Sequence, residues 1–460
     1  MGRTAVSPVV RRLGPLGHPA WLTVIGFAVA NVLGALLLML PVASESGEWT
    51  APVTALFTST SAVCVTGLVV VDTATYWSPF GEAVVLALIQ IGGLGIMTAA
   101  SLLGLLVARR MGLRMQLIAQ AETKTLRLGE TRRVVIGVVV MSLSIEVLVA
   151  AAITARQLVA TSDSFGSALY YGVFHAISAY NNAGFGLRAD SLVAHATDPF
   201  IIAPIAVALV LGGIGFPVVF ELSRAARARM RGRRLRGWSL HTKITLITYF
   251  GLMAVGIVLV TALEWSNPGT LGPLSYPGRL LAGAFHGITP RTAGFNSVDV
   301  GAMSPTTLLV NDVLMFVGGG SAGTAGGIKV TTFALLAFVV VAEVRGQPTV
   351  HVMGRRLAAT VQRQAITVAL LGVAVVMVAT MILVRISHFP LDAVLFEAVS
   401  AFGTVGLSTG ITADLSPAAH LILVLLMFIG RVGPITLASA LALREHERRY
   451  ELPEERPIVG

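Results

Sequence analysis

A segment that ends on glycine and recurs four times constrains the fold of this chain more than any other feature. Its copies are ALFTSTSAVCVTGL, GVFHAISAYNNAGFGL, GAFHGITPRTAGF and LFEAVSAFGTVGL, and their shared glycines are Gly67, Gly184, Gly294 and Gly406. A phenylalanine precedes the glycine by ten residues in the first, second and fourth copies and by nine in the third. Recurrence at such wide spacing predicts four copies of one structural unit.

Long apolar runs flank every copy of the segment. The chain is 55% hydrophobic and only 12% charged, against about 25% charged residues in ordinary globular domains. Eight runs offer the ~20 residues that a helix needs to cross a bilayer, near 20–42, 83–107, 134–155, 199–220, 244–263, 308–342, 365–384 and 418–443. The sequence therefore predicts a polytopic membrane protein, and its single cysteine, Cys64, excludes an intrachain disulfide.

Basic residues are distributed unevenly along the chain. Of the 33 Lys and Arg residues, 26 lie in the two tails and in the alternate connections 108–133, 222–243 and 343–364. The connections on the other side hold Arg156, Arg188, Arg279, Arg291 and Arg385. Because basic loops stay in the cytoplasm, both termini are predicted to be cytoplasmic and the glycine-ended segments to lie outside. The block RAARARMRGRRLRG favours a topology signal that touches membrane lipids over nucleic-acid binding.

The glycine-ended segments are too short to cross the bilayer. A run of about 11 residues suits a re-entrant helix, and irregular backbone at that depth occurs only where protein buries it or water reaches it. Each unit is therefore predicted to be a spanning helix, a re-entrant helix, a glycine-ended loop and a second spanning helix. All four units have the same orientation, which predicts an all-α polytopic fold of parallel repeats around a pseudo-fourfold pore.

The chain divides at the ends of these units. The predicted segments are an N-terminal tail (1–19), repeat 1 (20–107), a linker (108–133), repeat 2 (134–221), a basic linker (222–243), repeat 3 (244–342), a linker (343–364), repeat 4 (365–443) and a C-terminal tail (444–460). Glycine clusters in the second spanning run of each repeat allow close helix approach. The cluster GGGSAGTAGG at 318–327 has no bulky side chain and does not favour a straight helix, so a loop within the membrane is predicted there.

Four glycine-ended loops around one axis have the chemistry of a cation pore. An ion that crosses a bilayer exchanges its water shell for other oxygens, and backbone carbonyls supply them without a fixed charge that would trap the ion. Re-entrant helices that end near this path would favour a cation through the negative ends of their dipoles. For any single glycine, an ordinary loop residue is the alternative. The residues predicted to line the path are Val65, Thr66, Gly67, Asn182, Ala183, Gly184, Thr292, Ala293, Gly294, Thr404, Val405 and Gly406.

Six motifs of the chain resemble those of one known family. They are TSTSAVCVTGL, LALIQIGGLGIM, FHAISAYNNAGF, GITPRTAGFNSVD, MFVGGGSAGTAGGIKV and FGTVGLSTGI. These motifs are similar to the Trk/Ktr/HKT superfamily of potassium transporters, and the resemblance covers roughly residues 20–445. Eight spans without an additional leading pair are closest to the KtrB type, the ion-translocating membrane subunit.

The resemblance implies potassium uptake through a gated, channel-like filter in the bacterial plasma membrane, with K+ as the transported ion and no organic cofactor in this chain. It also implies a homodimer with one pore per protomer and a cytoplasmic KtrA-type regulatory ring that binds nucleotide. Sodium dependence is typical of that branch. In plant relatives a serine at the first filter glycine accompanies sodium transport, so Gly67 favours potassium. A sodium-coupled symporter with alternating access is the alternative within transport, whereas an intramembrane enzyme would need converging catalytic residues.

Gate residues follow from the same resemblance. The stretch 318–327 resembles the intramembrane loop that blocks the path beneath the filter, and Arg431 occupies the family's basic position in the last helix. A charge at mid-membrane costs about 2.5–3.5 kcal/mol, so Arg431 either forms an electrostatic barrier to cations, has a salt-bridge partner or extends its charge to the membrane interface. Lys329 either anchors the loop or only reaches the membrane interface. The predicted gate residues are Gly318, Gly319, Gly320, Ser321, Gly323, Thr324, Gly326, Gly327, Lys329 and Arg431.

Other polar residues of the spans favour structural roles. His175 and His286 follow equivalent phenylalanines in two repeats, which indicates helix packing rather than metal binding. Glu146 lies within a spanning run, where an ionisable residue is a functional candidate, and a structural ion pair is its expected role. The letters G-x-G-x-x-G from Gly318 match a dinucleotide fingerprint, but neither a strand before them nor a βαβ unit around them supports the match.

Overall fold

The computed structural model describes residues 19–110, 128–161, 164–232 and 237–443. Both predicted tails, apart from Pro19, and residues 111–127 of the first linker lie outside these ranges. Within them the chain is mostly helical, which confirms the predicted all-α polytopic class. A two-stranded antiparallel hairpin in the third linker, β1 (His351–Val352) and β2 (Arg355–Arg356), is an addition that the sequence did not indicate.

The chain contains four units, each of which begins with a long helix followed by a short one and ends with one or two further apolar segments. Repeat 1 contains α1 (Pro19–Met39), α2 (Pro52–Val63), α3 (Thr73–Tyr76) and α4 (Pro79–Arg110). Repeat 2 contains α5 (Leu128–Ala160), α6 (Phe165–Tyr180), α7 (Pro199–Ile214) and α8 (Phe216–Met230). Repeat 3 contains α9 (Leu240–Glu264), α10 (Tyr276–Ile288), α11 (Pro305–Phe316) and α12 (Val330–Val344). Repeat 4 contains α13 (Ala359–Ile386), α14 (Leu391–Gly403) and α15 (Pro417–Leu443).

The short helices α2, α6, α10 and α14 follow the first long helix of each repeat. Ser164 and Ser275 cap α6 and α10, where their side-chain oxygens accept hydrogen bonds from the N–H groups of Ser167 and Gly278. Pro52 opens α2, and its missing N–H group costs nothing there because the first turn has no intrahelical acceptor. These signals fix where each of the three helices begins.

Among the described residues, four helical stretches are long and apolar enough to cross a membrane alone: Pro79–Ala99, Val134–Ala160, Leu240–Glu264 and Ala359–Ile386. The pair α7 and α8 would make a fifth span if it is counted as one bent helix. Shorter apolar stretches lie in α1, α11, α12 and α15. All eight predicted runs thus coincide with apolar helices, and the sixth run is divided between α11 and α12 by residues 317–329.

A bend of 106° between α7 and α8 divides the predicted fourth spanning run, 199–220, into two helices. Gly215 forms the corner with a φ of 97°, a left-handed conformation that glycine adopts without steric cost. Pro217 lacks the N–H group that would bond to the carbonyl of Gly213 in a continuous helix. That carbonyl instead accepts a hydrogen bond from the N–H group of Gly320 at 2.7 Å. The proline two residues after Gly215 was the sequence signal for this break.

The four repeats pack in sequence order and close into a ring. Helix α4 packs against α5, α7 against α10, and α11 against α14. Helix α15 then packs against α1 and α2, which joins repeat 4 to repeat 1. The short helices are the most enclosed elements, with ten of the thirteen residues of α14 buried. On the long helices apolar side chains face outward, such as Leu148 and Val159, which are 71% and 80% exposed.

Candidate functional site

The loop after each short helix has the same unusual backbone. The second residue before the shared glycine has a positive φ in all four loops, at Val65 (57°), Asn182 (59°), Thr292 (71°) and Thr404 (49°). The shared glycines also have a positive φ, from 72° to 91°, and the residue between them keeps a negative one. Residues with a side chain disfavour this region, so the surrounding fold must impose it. Such alternation turns successive carbonyls toward one side of the chain, whereas in a β-strand they point to opposite sides.

Each loop is fastened to the end of its own short helix. In three repeats the N–H group before the shared glycine bonds to a serine carbonyl five residues back, with Thr66 bonding to Ser61, Ala183 to Ser178 and Val405 to Ser400 at 2.7–2.9 Å. In repeat 3, Ala293 bonds to Thr289, only four residues back, at 2.9 Å. This shorter step accounts for the nine-residue spacing between Phe285 and Gly294.

Two of these serines also hold the shared glycine itself. The hydroxyl groups of Ser61 and Ser400 accept hydrogen bonds from the N–H groups of Gly67 and Gly406, both at 3.1 Å. The hydroxyl of Ser178 has no hydrogen-bond partner among the described residues. Repeats 1 and 4 therefore hold their glycines by one side-chain contact that repeat 2 lacks.

The four shared glycines face one another around a single ring. A Cβ atom added to Gly184 would lie 2.6 Å from the Cα atom of Gly294, and one added to Gly67 would lie 3.2 Å from that of Gly184. One added to Gly406 would lie 3.0 Å from the Cα atom of Gly67. The preceding carbonyls follow the same cyclic order, with Ala183 O against Gly67, Ala293 O against Gly184, Val405 O against Gly294 and Thr66 O against Gly406. Loops from all four repeats thus surround one axis.

All four short helices end beside this ring. The last residues of α2, α6, α10 and α14 are Val63, Tyr180, Ile288 and Gly403. The carbonyl end of a helix carries a partial charge of about −0.5, so four such ends make the ring electronegative. Among the described residues no group of three His, Cys, Asp or Glu side chains could hold a metal ion. A cation in the ring would therefore contact uncharged oxygens.

A cavity of about 360 Å³, which we call the vestibule, opens at one end of the ring. The four shared glycines form its floor, and residues that follow them in the chain, such as Phe185 and Leu407, form its wall. Asp72 and Asp299 add carboxylates to that wall and Arg188 adds a guanidinium, so acidic groups outnumber basic ones by one among the described lining residues. Acidic groups around a concave surface raise the local concentration of cations. The vestibule is thus suited to collect cations at one mouth of the ring.

Glycines of the second long helices allow three of the loops to start close to the helix behind them. In each case the glycine lies so close to a backbone carbonyl that a Cβ atom on the glycine would overlap the carbonyl oxygen. The three pairs are Gly92 with Val63, Gly212 with Tyr180 and Gly430 with Phe402. Helices α4 and α15 run through their glycine clusters without a break. In these two helices the small residues therefore serve close approach.

The loop 318–327 lies at the end of the ring opposite the vestibule. The N–H group of Thr324 bonds to the carbonyl of Gly212 at 3.1 Å, and its hydroxyl donates to the carbonyl of Tyr180 at 3.3 Å. Gly326 packs against the start of the fourth loop. At the end of the segment, the ammonium group of Lys329 donates to the carbonyl of Ala325, a contact that ties the loop to its own end. The predicted gate residues other than Lys329 and Arg431 all belong to this loop, and Lys329 lies two residues after it.

Arg431 reaches the same loop from α15. Its side chain is buried, with a Nη1 group that donates to the carbonyl of Thr324 and a Nη2 group 3.5 Å from the carbonyl of Gly92. Among the described residues no carboxylate lies within ion-pair distance of its guanidinium. The salt-bridge alternative is therefore not seen for Arg431. Its charge lies between the loop and the first repeat instead.

Arg291 is a functional candidate that the sequence did not indicate, since its position in the chain predicts a charge of an outer connection. The structure buries it, with only 2% of the residue exposed. Its Nη2 group donates to the carbonyl of Gly318 at 3.0 Å, and its Cζ atom lies 4.2 Å from the ring centroid of Tyr249. The available signal was its position next to Thr292, three residues before Gly294, where a surface arginine is not expected.

Three other polar residues have structural partners. His175 and His286 are fully buried, with Nδ1 of His175 bonded to the carbonyl of Tyr171 at 2.9 Å and Nε2 of His286 near the amide of Asn311. Glu146 has no basic partner among the described residues, which corrects the expected ion pair. Both of its carboxylate oxygens accept hydrogen bonds at 3.1 Å from the Gln90 amide, and Asn181 donates at 3.3 Å.

The fold and this site define a class: a membrane transport protein in which four repeats of one chain surround a central ring, and not an enzyme. Comparisons with known proteins agree. The family described as "TrkH: Cation transport protein" matches residues 21–449. The Ktr system potassium uptake protein B of Bacillus subtilis is 40% identical over 434 residues, covering 94% of this chain and 95% of that protein. The chain belongs to the TrkH family.

Further relatives extend the comparison. The potassium/sodium uptake protein NtpJ of Enterococcus hirae is 33% identical over 450 residues, covering 96% of this chain and 97% of that protein. The crystal structure of the potassium transporter TrkH from Vibrio parahaemolyticus has a TM-score of 0.72 at 17% identity, covering 92% of this chain and 85% of that one. At this level of identity the solved structure supports the fold, and the sequence relatives support the family.

Proposed function

We propose that this protein takes up potassium across the bacterial plasma membrane through the ring of four loops. The observation that carries the proposal is the cyclic order of the carbonyls of Thr66, Ala183, Ala293 and Val405 around the shared glycines. Carbonyl oxygens replace the water shell of the ion, and the four helix ends offset the cost of its dehydration. The names of the relatives from Bacillus subtilis and Enterococcus hirae support potassium as the ion.

The gate is proposed to be the loop 318–327 together with Arg431. The loop packs against the starts of the second and fourth loops, so an ion that leaves the ring away from the vestibule meets it first. The Arg431 guanidinium holds the loop through the carbonyl of Thr324 and adds a positive charge to this barrier. Opening would require the loop to move away and the charge to move with it or be screened.

The wider assembly is also part of the proposal. We expect a homodimer with one pore per protomer, both termini in the cytoplasm, activation by sodium and control by a cytoplasmic ring of nucleotide-binding subunits. The uneven distribution of Lys and Arg supports this orientation, because basic connections stay in the cytoplasm. The term "Ktr system" in the name of the Bacillus subtilis relative supports a complex of several components.

Uptake of K+, Rb+ and Na+ into proteoliposomes tests this function, with the Gly67→Ser variant alongside. Gly67 has a φ of 91°, and a Cβ atom there would meet the carbonyl of Ala183 in the next repeat. The parent protein should prefer K+ and Rb+, and the variant should lose that preference. An unchanged ion preference in the folded variant would exclude the ring as the filter. Single-channel currents would separate a pore from a sodium-coupled symporter, whose flux would be strictly coupled.

A further inference from the structure

Repeat 3 differs from the other three in how its loop is supported. In repeats 1, 2 and 4 the short helix packs along the second long helix, as α2 does on α4, α6 on α7 and α14 on α15. Helices α10 and α11 scarcely contact each other, because α11 ends at Phe316 and the chain continues as the segment 317–329. In the other repeats a glycine of the second long helix meets the carbonyl four residues before the shared glycine, whereas in repeat 3 the nearest such contact is from Gly256 of α9 to the carbonyl of Gly287, seven residues before Gly294.

The side chain of Arg291 fills the place behind the third loop. Its guanidinium stacks over the ring of Tyr249 from α9 and bonds to the carbonyl of Gly318, the first residue of the 318–327 loop. Its Nε and Nη1 groups have no acceptor among the described residues, and no carboxylate is within ion-pair distance of it there. A buried charge with so little compensation is costly. A positional role gives the reason for keeping it.

The neighbouring backbone is the part of the ring that this contact would hold. Thr292 follows directly and has a φ of 71°, which is unfavourable for a β-branched residue. Gly294, two residues further on, packs against the Cα atom of Gly184 and the carbonyl of Val405. A shift of Arg291 would therefore be felt by the second and fourth loops through Gly294.

We propose that Arg291 is a positioning residue that couples the 318–327 loop to the geometry of the glycine ring. When the loop leaves its place, Gly318 moves and Arg291 loses its hydrogen-bond acceptor, so the third loop loses its support. Displacement of the loop then changes the ring, and a change in the ring loosens the loop. The predicted effect on K+ and Na+ uptake rests on the proposed function. The predicted effect on the exposure of the 318–327 loop rests on the structure alone.

Two measurements on the same variants test the coupling. The first is the modification rate of a Ser321→Cys thiol by a methanethiosulfonate reagent, with the parent chain and its buried Cys64 as background. The second is the ratio of K+ to Na+ uptake in proteoliposomes. Arg291→Met should raise the modification rate about tenfold, the factor expected for loss of ~1.4 kcal/mol from one charge-assisted hydrogen bond. It should also lower the uptake ratio.

The control variant is Arg279→Met. Arg279 resembles Arg291 in chemistry, since its guanidinium bonds to backbone carbonyls, including that of Trp265 at 3.1 Å, and stacks over the same residue's ring at 5.5 Å. It lies at the start of α10, away from the 318–327 loop. Arg279→Met should change neither readout.

Arg291→Lys separates position from charge. Lysine keeps the charge but loses the planar fork that bonds and stacks at once, so it should shift both readouts as methionine does. If Arg291→Lys matches the parent while Arg291→Met does not, charge alone acts and the proposal is wrong. A raised modification rate with an unchanged uptake ratio would also overturn it.

If Arg291→Met does not fold, Arg291→Lys and Tyr249→Leu decide the question. Absence of K+ uptake by the parent would refute the proposed function, while the thiol readout would still test the contact.

Discussion

Substitution of Gly184 by alanine probes a close backbone contact between neighbouring repeats of the ring. A Cβ atom at this position would lie 2.6 Å from the Cα atom and 2.9 Å from the carbonyl carbon of Gly294, and 3.0 Å from the carbonyl oxygen of Ala293. All three are backbone atoms of the neighbouring repeat, so no side chain can turn away to relieve the overlap. The ring must widen, or the second loop must leave it.

The magnitude has two parts. The φ of Gly184 is 72°, and a residue with a side chain costs about 1–2 kcal/mol in this region. Overlap with close-packed neighbours adds about 1–3 kcal/mol. Together these give about 2–5 kcal/mol against the native ring, and because each 1.4 kcal/mol is a factor of ten, its population falls at least ~30-fold. Initial rates of Rb+ uptake into proteoliposomes should fall by a similar factor.

Gly47→Ala is the matched control for backbone strain. Gly47 has a φ of 70°, almost equal to that of Gly184, but a Cβ atom there would have nothing within 4 Å. This variant pays the conformational cost without the overlap and should transport like the parent. If Gly184→Ala is as active and as selective as Gly47→Ala, the glycines do not form a close ring in the functional protein, and the geometric argument fails.

Two further predictions use differences between repeats and the charge beneath the ring. Ser61→Ala removes the acceptor of the Gly67 N–H group. It should lower the ratio of K+ to Na+ uptake about 2- to 10-fold, as expected for one hydrogen bond of ~0.5–1.5 kcal/mol. Ser178→Ala should leave this ratio unchanged, because the Ser178 hydroxyl has no hydrogen-bond partner among the described residues. Arg431→Ala removes both the charge and the contact to Thr324, and should raise K+ uptake; an unchanged or lower rate in folded protein would remove Arg431 from the gate.

Some features of the site could be predicted because their causes are local in the chain. The starts of α6 and α10 follow from capping serines, and the loop at 318–327 follows from ten residues without a bulky side chain. The break at Gly215 was also local, but it was missed because glycine clusters occur in all four repeats. Only repeat 2 has a proline two residues after the last glycine, and this proline removes one backbone hydrogen bond at the break, whereas α15 continues through Pro434, which follows Gly433 directly.

Other features depend on residues that are distant in sequence. From the sequence alone, Arg291 has the features of an exposed loop charge. The packing of α9, α10 and the 318–327 loop buries it beneath the third loop. The partners of Glu146 are amides from two other elements, Gln90 and Asn181, and nothing in its own span indicates them. A sequence pattern shows which groups are polar and which face the core, but not which group from elsewhere will meet them.

The sequence by itself determined that the chain is a membrane protein with four like-oriented units, because hydrophobic length and recurrence are properties of the chain alone. The tertiary structure decided that Gly67, Gly184, Gly294 and Gly406 meet at one level, and that Arg291 and Arg431 hold the loop under them. The physical reason is that a ring closes only when four separately formed hairpins pack on one another. This packing, and no single segment, fixes the short backbone contacts between repeats.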